Sequence, residues 1–262
     1  MADSTLSLTY TSLLDAVCYF LYGEAYADCD TGEKAKADEV VNNGYRQFVY
    51  PPVVDGVPPG YEWSFLRPTT TLDTTADDAD QDMPDDFGRL IDGFAYEEDA
   101  QRPGVVADVG EGKIRRLRQQ MSETGKPRVA GLRKKALPDP ATSGQRQEIM
   151  WYPTPDATYT LSYRYEVLVD KLTDASPYPV GSMKHAETLR LSVLAMADAM
   201  INDNVGIHHD NFLRALVASV ARDTKEGAKF FGNVGCHGEY ESDNGEETYN
   251  YTLSVGGVQL YP

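Results

Sequence analysis

The chain has little cysteine: three residues, Cys18, Cys29 and Cys236, spread over 262 positions. They are too few and too far apart in sequence for a disulfide framework or a zinc cluster, and reduced thiols in a protein made in the cytoplasm are the expectation. Long apolar runs are missing too. No stretch approaches the roughly 20 apolar residues of a membrane helix, so no membrane partner is expected. The opening MADSTLSL lacks the basic segment and apolar run of a signal peptide. Positive charge is scarce, with 24 lysines and arginines against 41 acids and a formal charge of −17. A surface that negative repels phosphates and does not bind nucleic acid as a whole. It suits solubility, assembly with basic partners, or a channel wall along which DNA slides.

Catalytic signatures are also lacking. The four histidines, His185, His208, His209 and His237, form no HExxH or comparable spacing. His208, His209 and Asp210 stand together, but adjacent histidines at a helix start point in different directions, which favours a structural or capping role over metal binding. No metal and no other cofactor is expected. The phosphate-cradling GxxxxGK[ST] is missing, and Gly110, Gly112 and Lys113 in DVGEGKIRRL match only a fragment of such loops. A turn leading into a helix is the better reading. Carboxylate pairs such as Asp77 with Asp78, Asp85 with Asp86, and Glu97 with Glu98 are too common in so acidic a chain to single out a general acid.

What is present is helical periodicity at both ends. Near the N-terminus Thr11 or Ser12 offers a cap, with Asp15 three residues beyond Ser12, and Leu13, Leu14, Val17, Cys18, Phe20 and Leu21 are apolar up to a stop near Gly23. A second helix runs from about Glu33 to Val49 on a stripe of Ala37, Val40, Val41, Gly44, Tyr45 and Phe48, and Pro51 and Pro52 end it. Gly44 in mid-helix costs up to about 1 kcal/mol against Ala, and so marks a close helix crossing. Between Met183 and Ile201, Leu189, Val193, Met196 and Met200 recur at helical spacing, with Ser182 as cap. His209, Asp210 or Asn211 opens the last helix, on which Phe212, Leu213, Leu216, Val217 and Val220 face one way. A short loop makes these two helices antiparallel neighbours.

The residues between read as β-structure. Tyr61–Leu72 is aromatic and β-branched, and the acidic stretch 73–86 that follows reads as an exposed loop. Strands are expected at Gly88–Tyr96, Gln147–Tyr152 and Thr158–Val167, the last with Tyr159, Leu161, Tyr163 and Tyr165 on one face. The fold class is therefore α+β: an antiparallel helical bundle from the N- and C-terminal helix pairs, an inserted antiparallel β-domain, and an extended C-terminal tail. The boundaries fall at 1–52, 53–180, 181–226 and 227–262.

Two features suggest partner contacts. The segment Lys113–Lys135 holds nine basic residues against the single acid Glu123. Of these, Lys113, Arg115, Arg116, Arg118, Arg133, Lys134 and Lys135 are the interface candidates. Contact with the acidic face of a neighbouring copy or another partner ranks first, a solvated face second and nucleic acid third. The tail turns acidic at 239–247 and ends in YNYTLSVGGVQLYP, where Tyr249, Tyr251, Leu253, Val255, Leu260 and Tyr261 are β-prone with no obvious partner strand nearby. Adding a strand to another chain would satisfy that backbone. A last strand of the chain's own sheet, or a disordered end, is an equal alternative.

In sequence order, the helix pair, MPDDFGRLIDGFAY, SETGKPRVAGL, YPTPDATYTLSYRYEV, KHAETLRLSVLAMADAM and a last helix ending in RDTK resemble the head-to-tail adaptor (connector, or neck) proteins of tailed bacteriophages. The likeness spans about residues 8 to 226. It implies a non-catalytic structural virion protein at the neck, typically twelve copies in a ring beneath the portal. Its partners would be its own copies, the portal protein, and a tail or nozzle protein, with DNA passing through the channel. The acidic stretch 73–86 and the long tail depart from shorter relatives and read as docking elements. Two rival readings stand beside this one: a phage-associated hydrolase using a carboxylate pair, and a nucleic-acid-binding module using residues 113–135.

Overall fold

The computed structural model describes residues 4, 6–96, 105–137, 144–201, 206–226, 253–255 and 258–260. The chain is α+β. Helix α1 spans Tyr10–Leu21 and α2 spans Thr31–Val49. Strands β1 (Thr69–Asp73), β2 (Asp80–Asp82), β3 (Phe87–Tyr96) and β4 (Val105–Asp108) follow, then α3 (Glu111–Gln120). Strands β5 (Val129–Lys134), β6 (Gln147–Tyr152) and β7 (Thr160–Val167) precede α4 (Ala186–Ile201) and α5 (Ile207–Glu226). The last elements are β8 (Leu253–Val255) and β9 (Val258–Leu260).

The helix starts differ from the expected caps, for local reasons. Thr9, not Thr11 or Ser12, caps α1: its hydroxyl accepts the Ser12 N–H at 3.2 Å, while the Ser12 hydroxyl accepts the Thr9 N–H at 2.8 Å. Asp15 instead accepts the Tyr26 N–H at 3.0 Å and ties down the α1–α2 connection. Asp30 and Glu33 form the same reciprocal box at α2, which starts two residues earlier than Glu33. Ser182 makes no side-chain cap; its φ of 54° turns the chain into a 3-10 turn, Met183–His185, ahead of α4. Helix α5 opens at Ile207, two residues before the expected caps.

Helices α1, α2, α4 and α5 share one hydrophobic core that includes Leu13, Val40, Phe48, Val193, Phe212 and Leu216. Full burial of such side chains contributes about 1.5–3 kcal/mol each. The core also takes residues from the middle of the chain. The run Tyr61–Leu72 forms a strand only from Thr69; before it Ser64–Leu66 is a 3-10 turn that delivers Trp63 and Leu66 among the helices. The Trp63 indole N–H donates to the Phe48 carbonyl at 3.0 Å. Asp223, near the end of α5, fixes the same turn, accepting the Tyr61 hydroxyl at 2.5 Å, the Ser64 hydroxyl at 2.5 Å and the Ser64 N–H at 2.8 Å. Burial pushes the Asp223 carboxyl up. The hydrogen bonds from Ser64 and Tyr61, helped by His185, outweigh burial and hold it below the usual carboxylate range.

A second core lies on the strands, around Phe87, Phe94, Ile149, Trp151, Leu161, Tyr163 and Tyr165. Leu161, Tyr163 and Tyr165 alternate inward along β7 as the sequence pattern required; Tyr159 lies just outside the strand and packs against the same core. The sheet runs β1-β7-β3-β4-β5-β6-β2. Register shifts between Phe87 and Arg89, and between Leu90 and Ala95, bend β3 along β7. One pair departs from the antiparallel expectation: β4 and β5 run parallel, because α3 forms the crossover between them.

The acidic stretch 73–86 is not simply an exposed loop. Its middle, Asp80–Asp82, is the edge strand β2 on β6, and Thr74 and Met83 are buried.

Candidate partner interface

Helix α3 displays the basic segment. Ile114 is its buried anchor, and Gly131 of β5 lets the strand approach: a Cβ there would lie 2.6 Å from the Val109 carbonyl and 2.9 Å from Ile114 Cδ1. With Ile114 and Arg118 turned toward the strands, Lys113, Arg115 and Arg116 stand exposed.

The candidate cations divide into two groups. Arg118, Arg133 and Lys135 are engaged by the chain's own acids. Arg118 pairs with Asp80 at 2.8 Å and donates to the carbonyls of Ala79 and Trp151 at 2.7 and 3.0 Å. Arg133 bridges Glu148 and Asp80, and Lys135 reaches Asp82 at 2.6 Å and Glu148 at 3.7 Å. Glu148 is buried, and its hydrogen bond raises the Arg133 pKa in spite of desolvation, with Asp80 adding to the effect. Arg146 extends the network to Asp85 at 3.0 Å. Among the described residues Arg115 pairs with Glu111 alone, one turn back, an exposed contact worth about 0.3–0.5 kcal/mol. Among the described residues Lys113, Arg116 and Lys134 make no ion pair, and all three are exposed. Sequence reasoning saw both charge blocks but not that 80–85 neutralises part of 113–135, since strand pairing far apart in sequence sets that contact.

The tail candidates fall in two places. Leu253, Val255 and Leu260 lie in β8 and β9, which pair with each other, Leu253 opposite Leu260 and Val255 opposite Val258. That segment therefore has a local partner strand, contrary to the expectation of none. Tyr249, Tyr251, Tyr261, the acidic run 239–247 and Cys236 lie outside the described residues.

A third surface was missed in the sequence. Where α1 and α4 end and α5 begins, Tyr19, Phe20, Met200, Ile201 and Ile207 are exposed, Ile207 by 70%. The Phe20 ring meets His208 edge-on at 5.0 Å, and the Asn43 amide contacts the Met200 sulfur at 3.4 Å. Phe20 is one of the apolar residues expected in the first helix and Met200 one of the residues at helical spacing in the third, yet both stand exposed. The signal that could have separated them is position at helix ends, where the stripe outruns the neighbouring helix.

His185 is buried among Phe48, Trp63 and Phe65, and His209 lies in the first turn of α5. A cleft of about 330 Å³ beside Phe87 and Gln147 contains the acids Asp85 and Glu166, paired with Arg146 and Arg89. No helix among the described residues is long and apolar enough to cross a membrane.

No curated protein matches the chain. The family model described as SU10 adaptor protein matches residues 8–229, nearly the span over which the sequence resembles phage connectors. The chain belongs to the SU10 adaptor protein family, consistent with a phage head-to-tail adaptor.

Proposed function

We propose that this protein is a non-catalytic virion component that forms a ring, of about the twelve copies its family resemblance implies, between the portal and the tail or nozzle of a tailed phage. The genome passes through the ring without sequence-specific binding, as a net charge of −17 favours. The four helices act as the bundle, residues 53–180 as an inserted β-unit and 227–262 as a partner-binding tail. The protein is made in the host cytoplasm and ends at the virion neck.

The observation that carries this reading is the division of the basic segment. Arg118, Arg133 and Lys135 are neutralised internally, while Lys113, Arg115 and Arg116 face outward on a strongly acidic chain. Such a surface fits an acidic neighbour of its own kind. The apolar ends of α1, α4 and α5 supply the uncharged centre that a stable subunit contact needs. The internal pairing of Asp85 and Glu166 weighs against a carboxylate-pair hydrolase.

The test is mass by light scattering, alone and with the portal ring of the same virus. Gain of many copies on the portal supports the adaptor ring. Failure to associate in either state overturns it.

A further inference from the structure

The sheet ends in two edge strands, β1 and β2, and they are built differently. Strand β2 is three residues long and carries Asp80 and Asp82, whose carboxylates are held by Arg118, Arg133 and Lys135. Short length and charge are what keep an edge from pairing with another chain. Strand β1 has five residues, Thr69–Asp73, and no charge before its last position. Its register with β7 runs without a shift, from Thr69 opposite Arg164 to Asp73 opposite Thr160.

The rungs between β1 and β7 fix which backbone groups face away from the sheet. The Thr74 N–H donates to the Tyr159 carbonyl at 2.9 Å, and the Tyr165 N–H to the Pro68 carbonyl at 3.3 Å. Bonded positions alternate along an antiparallel pair, so Thr70 and Leu72 also turn their backbone groups to β7, while Thr69, Thr71 and Asp73 turn theirs outward. The Asp73 carbonyl is taken by the Gln81 amide at 2.7 Å. Thr69 and Thr71 are exposed, and among the described residues neither makes a hydrogen bond through its outward N–H or C=O. On the inner face Leu72 packs on the second core yet stays half-buried, as a residue does when its flank is uncovered.

The chain also carries a strand of the kind such an edge accepts. Strands β8 and β9 pair with each other in a sheet of their own, and a lone hairpin with three residues per strand is marginal in water. In sequence the segment alternates, with Tyr249, Tyr251, Leu253 and Val255 separated by Asn250, Thr252 and Ser254, and it carries no charge. We infer that the open edge of β1 accepts β8 from a second copy of this chain, so that the hairpin of one copy extends the sheet of the next. Within one chain the hairpin and the edge belong to separate sheets, which assigns the contact to another copy. Residues 227–252 can span at most about 85 Å, several times the radius of gyration of about 18 Å expected for a chain this long, so the hairpin can reach a neighbour. The inference rests on the reading that copies assemble side by side, and it makes each copy a donor on one side and an acceptor on the other.

The experiment is cross-linking of full-length chains in a Cys236→Ser background, in the presence of the portal ring of the same virus. One batch carries Thr71→Cys and the other Ser254→Cys, and a bismaleimide joins the new thiols, since Cys18 and Cys29 are buried. A covalent dimer is expected from the mixture and from neither batch alone. Thr71→Pro removes the outward N–H and none of the rungs to β7, so its circular dichroism should match the parent while fewer copies gather on the portal by light scattering. Thr71→Val, which keeps that N–H, should assemble as the parent does. Should Thr71→Pro fail to fold, the cross-link decides. Copies that gather on the portal without forming the dimer, or a folded Thr71→Pro that assembles fully, overturn this inference and leave the ring standing. A chain with both new cysteines that cross-links only within itself overturns it as well. Failure of the parent to associate at all removes the ring reading and this contact with it.

Discussion

Gly44 and Val193 meet back to back where α2 crosses α4: a Cβ on Gly44 would lie 2.5 Å from the Val193 Cα. The Ser192 hydroxyl donates to the Gly44 carbonyl at 2.8 Å across the same contact. Gly44→Ala gains about 1 kcal/mol of helix propensity but forces two backbones apart, and overpacking of this kind costs about 1–3 kcal/mol. Net destabilisation is expected in chemical denaturation. Gly112→Ala in α3, where nothing lies within 4 Å of the new methyl, is the control and should be neutral or stabilising.

Asp223 makes the fold sensitive to acid. Its folded-state pKa is depressed, so its contribution is fully present above the unfolded value of about 4 and is lost as pH falls through the folded one. Urea midpoints should drop on acidification in the parent chain. In Asp223→Asn the drop should be smaller and the midpoint at neutral pH lower, the stability loss being about 2 kcal/mol for hydrogen bonds that no longer meet a charged acceptor. Equal acid sensitivity in both would count against this role.

Within the charge network, position decides the effect. Glu148→Gln takes the negative charge from the buried partner of Arg133 and Lys135, sets an amide NH2 against one of the two cations, and should cost about 1–3 kcal/mol. Arg115→Ala, which loses one exposed pair, should change stability by less than about 0.5 kcal/mol. Thermal denaturation of the two variants side by side measures the contrast.

Reversing Lys113, Arg115 and Arg116 to Glu should leave the circular dichroism spectrum intact while weakening assembly on the portal, most visibly at low salt. Assembly that is unchanged would remove α3 from the subunit contact.

Deleting the last fifteen residues should weaken portal binding without lowering the melting temperature. The β8–β9 pair is three residues per strand, and an isolated hairpin is marginal in water, so a partner would stabilise it. Full binding by the truncated chain would exclude the tail as a docking element.

The helices were legible because their stripes and stops are local: Val40, Val41 and Phe48 on one face of α2, and a close crossing marked by Gly44. Strand β7 was legible from its alternation. The fate of Trp63 was not, since an aromatic run shows that burial will occur without showing which core receives it. The pairing of Asp80 with Arg118 and Arg133 escaped for a like reason: register between distant strands, rather than local charge, brings them together.

Trp63 has a mechanical consequence. It belongs to the segment leading into the sheet, yet its ring is wedged between helices and its indole is hydrogen-bonded to the backbone of α2. The very next residue, Ser64, is tethered to the last turns of α5. A load pulling on β1 is thus handed within one short turn to two helices, and the joint behaves as a riveted bracket with no free hinge. A subunit built that way transmits push and torque between whatever is attached to its two ends.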